Sequence, residues 1–174
     1  MEKSGRSKCL LSQETAHLLN QQEGMEAKAS ASYLAMASWC DASGYKHAAE
    51  FLYHHAEEER GHMLKLFHYI NDVGGQAIHP EITEIEHTFQ SFRQIFELAL
   101  THEIKVTQAI HLLVDHCSAV KDFATYNFLQ WFVAEQVEEE NITRRALELF
   151  DVIGEEGIGR YTIDKAIGEL RDNS

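Results

Sequence analysis

Two side chains three residues apart, Glu59 and His62, have the types and the spacing of a metal chelate. They stand in the run EEERGH at 57–62, inside a long stretch whose apolar residues recur at helical spacing. Residues i and i+3 of a helix lie on one face, so a carboxylate oxygen and an imidazole nitrogen from this pair can reach the same ion. The sequence therefore predicts a metal site on this helix.

Four long helical segments must position this pair and whatever joins it. The expected helices run from about Gln13 to Trp39, Tyr45 to Val73, Phe89 to Cys117 and Asp122 to Ile153, and a short fifth runs from Thr162 to about Arg171. Ser12 and Thr162 are the predicted caps of the first and last. The segment 75–88 has no clear period and is long enough to cross a bundle. We therefore expect an all-α four-helix bundle with one long crossover, parallel central helices and a short fifth C-terminal helix.

Each long helix interrupts its apolar stripe near the middle with side chains that can bind metal. In chain order these are Glu26, Glu59 with His62, Glu103, and Gln136 with Glu139 or Glu140. A carboxylate in a dry core must be protonated, paired or bound to metal, because its lone burial is costly. The stripes bring no Lys or Arg to mid-bundle, so a metal cation is the economical counter-charge.

A stripe misassigned by one residue would place any single Glu on the surface, but four interruptions at comparable depth are far less easily explained in that way. Oxygen-rich ligation with one imidazole suits iron or manganese better than a structural zinc. Two ions are implied. Glu59 lies centrally and could bridge them, with Glu26 and His62 on one side and Glu103 and Glu139 on the other.

Beyond these carboxylates, the chain carries the motifs LNQQ at 19–22, SWC at 38–40, HAEEE at 55–59 followed by His62, HE at 102–103, FLQW at 128–131, EQVEEE at 135–140 and IDK at 163–165. With these motifs it resembles, from about Leu18 to the C-terminal helix, a bacterial non-haem ferritin, a member of the ferritin-like di-iron family. The resemblance implies three iron sites per chain. For the first iron the implied ligands are Glu26, Glu59 and His62. For the second they are Glu59, Glu103 and Glu139, with Gln136 close by. For the third they are Glu58, Glu135, Glu138 and Glu139. Tyr33 matches the family tyrosine beside the centre.

The resemblance also implies a shell of twenty-four identical subunits that takes up ferrous ions, oxidises them with dioxygen or peroxide at the di-iron centre, and stores ferric oxyhydroxide inside. Arg60 stands where bacterioferritins carry a haem-ligating Met, so no haem is expected. The alternatives are a non-storing di-iron peroxidase or oxidase, and a shell-building subunit that does not oxidise iron. Gln136-x-x-Glu139, where rubrerythrins have a second Glu-x-x-His, counts against the first, and the full ligand set counts against the second.

Composition sets outer bounds on the function. The 174 residues, 44% of them apolar, fit one domain over 12–174 after a flexible arm over 1–11. A net charge of -13 works against partners such as nucleic acid or an anionic membrane. Three widely spaced cysteines predict no disulfide framework, and the polar start lacks a signal peptide, so a reducing cytoplasm is expected.

Overall fold

The computed structural model describes residues 11–170. Within that range the elements are all helices, namely α1 Gln13–Ala42, α2 Lys46–Asp72, α3 Phe92–Ala119, α4 Phe123–Ile153 and α5 Gly159–Leu170. The predicted all-α class is confirmed. The arm predicted over 1–11 lies outside the described residues, except for Leu11, which is buried against the core. No helix in the described part of the chain is both long enough and apolar enough to span a membrane.

Side-chain caps set three of the helix starts, those of α1, α3 and α4, where Asp122 accepts from the N–H of Thr125 at the start of α4. Ser12 Oγ accepts a hydrogen bond of 3.0 Å from the backbone N–H of Thr15, which confirms it as the cap of α1. The predicted start of α3 at Phe89 is three residues early, because Ser91 has extended backbone and caps α3 through the N–H of Gln94. Phe89 is buried and apolar, so periodicity alone extended the helix over it.

The prediction that Thr162 caps the fifth helix is wrong. The helix α5 begins at Gly159, and Thr162 lies within it and donates its hydroxyl to the carbonyl of Ile158. A Cβ on Gly159 would come within 2.0 Å of the carbonyl oxygen of Gly154, so this close approach requires glycine. The start of α5 is therefore set by the close approach of Gly159 to the backbone of Gly154. The predicted end at Arg171 falls outside the described residues.

The core consists of two apolar clusters separated by polar side chains. One cluster combines the second halves of α1 and α4 with the first halves of α2 and α3, and α5 packs on it through Ile163 and Ile167. The other combines the four remaining halves. This pairing makes α1 antiparallel to α2 and α3 antiparallel to α4, while α2 and α3 run parallel, as the long crossover predicts.

Two tertiary contacts fix the connections. The α2 cap residue Tyr45 offers no side-chain hydrogen bond, and the carboxylate of Asp164 on α5 accepts from the N–H groups of His47 and Ala48 instead, at 3.4 and 2.9 Å. The crossover lies against α1 over 76–80, where Asn20 bonds the backbone of Gln76 and Ile78.

Candidate metal centre

The first predicted ligand set comes together between α1 and α2. One donor atom each from Glu26, Glu59 and His62 lies within 4.8 Å of the others. All three side chains are buried, at 1, 1 and 5% exposure. His62 Nδ1 stands 3.3 Å from Glu59 Oε2, as expected for residues three apart on one helical face.

Glu26 is held by a neighbour that the sequence did not single out as a site residue. Gln22, one helical turn earlier and also buried, donates from Nε2 to Glu26 Oε1 at 2.7 Å. The other oxygen, Glu26 Oε2, is buried and has no hydrogen-bond partner in the described part of the chain. The amide therefore orients the carboxylate and leaves one oxygen for an ion.

Glu103 joins three helices. Tyr33 on α1 donates its hydroxyl to Glu103 Oε1 at 2.5 Å, and Gln136 on α4 donates its amide to Oε2 at 3.1 Å. Within residues 11–170, Glu103 belongs to none of the groups of three whose donor atoms lie within 4.8 Å of one another, so it is less tightly clustered than Glu26 and Glu59. Each carboxylate oxygen has two lone pairs, so these bonds do not use up its capacity to bind metal.

Glu139, rather than Glu140, is the inward carboxylate of α4. Glu139 is 6% exposed, whereas Glu140 is half-buried and accepts hydrogen bonds from Thr107 and Arg144. Glu139 Oε2 is buried without a hydrogen-bond partner among the residues described. Glu139 also forms a second potential metal group with His62 and Glu135.

A buried histidine, His55, is a candidate ligand that sequence reasoning missed. Its Nδ1 lies 3.0 Å from the carbonyl of Phe51, which can only accept, so Nδ1 carries the proton and donates. Its Nε2 is then directed elsewhere and lies 3.5 Å from Glu139 Oε2. Metal-binding histidines commonly have their second nitrogen held by a backbone carbonyl in this way. The available signal was its place on the inward stripe of α2, four residues before Glu59.

The four residues implied for a third iron share one cavity of about 290 Å³. Glu58 and Glu135 are half-buried, Glu138 is exposed and Glu139 is buried. The cavity is also lined by Ile142 and by the two imidazoles His54 and His55. The structure therefore places both predicted carboxylate groups next to each other, joined at Glu139.

Burial controls the electrostatics of the centre. It raises the pKa of Glu26, Glu59 and Glu139 well above the usual carboxyl range, and neighbouring carboxylates raise these values further. Burial also raises the pKa of Glu103. The pKa of Tyr33 is raised mainly by burial and next by the nearby charge of Glu103, so its hydroxyl stays protonated and acts as a donor. Crowded carboxyls of this kind favour a divalent cation, because it replaces mutual repulsion with attraction.

The donor set therefore fits hard, oxygen-preferring metal ions with imidazole at the edge. Of the buried carboxylate oxygens that lack a hydrogen-bond partner within residues 11–170, those of Glu26 and Glu139 lie in the centre and mark positions where an ion would satisfy an unmet acceptor. Iron and manganese have this ligand preference, and closed thiolate zinc sites do not.

Comparison with known proteins gives one consistent match. The family model for a ferritin-like domain matches residues 16–153. A probable bacterial non-heme ferritin-like protein of Haemophilus influenzae is 40% identical over 161 residues, which cover 92% of this chain and 98% of the relative. A bacterial non-heme ferritin of Campylobacter jejuni is also 40% identical, over 92% of this chain and 96% of its own.

Among solved structures, an open pore ferritin from the hyperthermophilic archaeon Archaeoglobus fulgidus superposes with a TM-score of 0.89 at 35% identity. The superposition covers 92% of this chain and 98% of the archaeal one. The likeness therefore extends over the whole bundle and the helix that follows it.

Proposed function

This chain belongs to the ferritin family, and on that basis we propose that it is an iron-storing ferroxidase, which oxidises Fe(II) at a two-iron centre and keeps the product as ferric mineral. The observation that carries the proposal is the polar layer in the middle of the bundle. Four helices supply buried carboxylates there, and no Lys or Arg in residues 11–170 forms an ion pair with Glu26, Glu59, Glu103 or Glu139.

We assign the substrate ions to the groups described above. Glu59 bridges two irons, the first also held by Glu26 and His62, and the second by Glu103 and Glu139, with Gln136 alongside. The third site consists of Glu58, Glu135, Glu138 and Glu139. The short distances within the first group and the shared cavity of the third support this division.

In iron oxidation the protein supplies negatively charged ligands and holds them in position. Two Fe(II) ions each lose one electron, dioxygen takes up both electrons and two protons, and hydrogen peroxide leaves; peroxide can also serve as oxidant. Anionic oxygen ligands stabilise Fe(III) over Fe(II) and so favour electron loss. The hydroxyl of Tyr33 and the amide of Gln136 hold Glu103 in place from two other helices.

Storage requires an enclosing assembly, and we propose a homo-oligomeric shell of twenty-four copies. Large apolar side chains exposed on the single chain support subunit contacts, including Leu112, Val137, Val152 and Ile158. We propose no haem in this assembly.

The decisive experiment separates storage from turnover. Fe(II) is added to the purified protein in air, the ferric absorbance is followed, and the mixture is passed through a size-exclusion column. We expect rapid oxidation and many iron atoms per chain eluting with a large protein species. Iron that elutes as free ions or small complexes, while the protein keeps turning over with an added reductant, would favour the non-storing di-iron oxidase instead.

A further inference from the structure

Two histidines and a carboxylate on α2 form a metal-capable group that the iron assignment does not use as a unit. His54 Nδ1 lies 3.0 Å from Glu58 Oε2, one helical turn away, and His55 Nδ1 lies 3.9 Å from the same oxygen. One donor atom from each of the three residues lies within 4.8 Å of the others. The helix backbone therefore brings His54 Nδ1 and a carboxylate oxygen of Glu58 to one point. His55 lies beside them, with its Nδ1 held by the Phe51 carbonyl.

The group opens onto a space that an ion can reach. His54 and Glu58 have side-chain exposures of 46 and 37%, and both line the cavity of about 290 Å³ between α2 and α4. Glu139 lies in the wall of the same cavity, almost fully buried, and its Oε2 has no hydrogen-bond partner within residues 11–170. An unmet buried acceptor therefore borders the cavity that the two histidines line.

We propose that His54 and Glu58, with His55 beside them, form a separate site for a borderline divalent cation such as Zn(II). The donor types distinguish this site from its neighbour. The proposed third iron site offers carboxylates alone, whereas this group adds imidazole nitrogen, the donor that Zn(II) and Co(II) prefer to carboxylate alone. His54 is a ligand in none of the three proposed iron sites, so it is the residue that defines the new site.

Glu58 belongs to both groups, and this has a consequence. A cation held by His54 draws on a carboxylate that the third iron would also use, so occupation of the two positions is antagonistic. This antagonism rests on the proposed function, whereas Zn(II) binding at His54 does not depend on it.

The test is a calorimetric titration of metal-free protein with Zn(II), without iron or oxidant, on wild type, His54→Ala and His111→Ala. His111 is an exposed histidine on α3 outside every metal-capable group of the described residues, and so serves as the matched control. We expect His54→Ala to lose about one Zn(II) per chain or to weaken it about tenfold or more, and His111→Ala to keep the wild-type count. Circular dichroism confirms that both variants are folded.

Equal zinc counts and affinities in His54→Ala and wild type would overturn the proposal, as would equal losses in both variants. A parallel measurement keeps it distinct from the iron proposal: the initial rate of Fe(II) oxidation should be unchanged in His54→Ala. If the wild-type protein binds Zn(II) at His54 but does not oxidise iron, the ferroxidase proposal fails while the zinc site stands.

Discussion

Glu59 is the residue on which the proposed iron chemistry depends most. It lies within 4.8 Å of Glu26 and His62 on one side, and the charges of Glu103 and Glu139 act on its carboxyl group from two other helices. A carboxylate that adjoins one ligand group and interacts with the other is in the position expected of a bridging ligand.

Replacing Glu59 by Ala should therefore lower the initial rate of Fe(II) oxidation by about 100-fold or more, because both irons lose a ligand, and even outer partners of metal ligands can cost about that much. The rate is measured by stopped-flow absorbance of the ferric product. Helix content should remain, since the change removes a carboxyl that is costly to bury.

The matched control is Glu57→Ala, an exposed carboxylate two residues earlier on the same helix. It should oxidise iron at the wild-type rate. Equal rates in the Glu59→Ala variant and wild type would refute the bridging assignment.

At the level of elements, the inward stripe of α2 was predictable from spacing and the contacts between helices were not. That stripe is buried throughout, at Leu52, His55, Glu59, His62, Leu66 and Ile70. The bonds from Tyr33 and Gln136 to Glu103 depend on how three helices are rotated against each other, which local periodicity does not record. The same limit explains why the closeness of His55 to Glu139 was not predicted. It also explains the wrong start of α5, where Gly159 packs against the carbonyl of Gly154.

Asp164 on α5 caps the start of α2, so the fifth helix stabilises the second. Its carboxylate satisfies N–H groups that Tyr45 leaves without a side-chain cap. Asp164→Ala should lower the free energy of unfolding by about 1–2 kcal/mol, the usual cost of losing a helix cap. Urea denaturation measures the change, with Asp115→Ala, at an exposed aspartate on α3, as the control. Equal losses in the two variants would show that Asp164 contributes no more than a surface charge.

At the scale of the whole molecule, the polar layer divides the core and makes the metal-free protein sensitive to pH. Glu26 follows Leu19 of one apolar cluster and precedes Tyr33 of the other, and Glu103 likewise stands between Ala99 and Val106. A bundle interrupted in this way loses apolar contact at its centre. A cation bound there, as proposed above, would make that layer favourable.

The raised pKa values of the buried carboxyls fix the sign of the pH effect. A carboxyl whose pKa is higher in the folded than in the unfolded state stabilises the fold below the unfolded value of 4.5 and loses that contribution as pH rises through the folded value. We therefore expect the metal-free protein to lose stability from about pH 5 upward, by about 1.4 kcal/mol per pH unit for each carboxyl that stays protonated.

Urea unfolding at several pH values, on metal-free samples of one oligomeric state, measures this slope. The variant Glu59→Gln, which cannot titrate at that position, should show a shallower fall. A slope identical to that of the wild type would remove Glu59 from the explanation.

The crossover between α2 and α3 has two unequal halves. Residues 76–80 are bonded to α1 through Asn20 and His79, and a Cβ added to Gly24 would lie only 2.8 Å from Pro80. Residues 81–88 are mostly exposed, and the ion pair from Lys28 to Glu84 is their one salt bridge within the described chain. Doubling the length of a flexible loop costs only about 0.6 kcal/mol. A foreign peptide inserted after Pro80 would therefore be exposed on the bundle surface. The contacts of residues 76–80 with α1 would remain, and so would the position of Glu26.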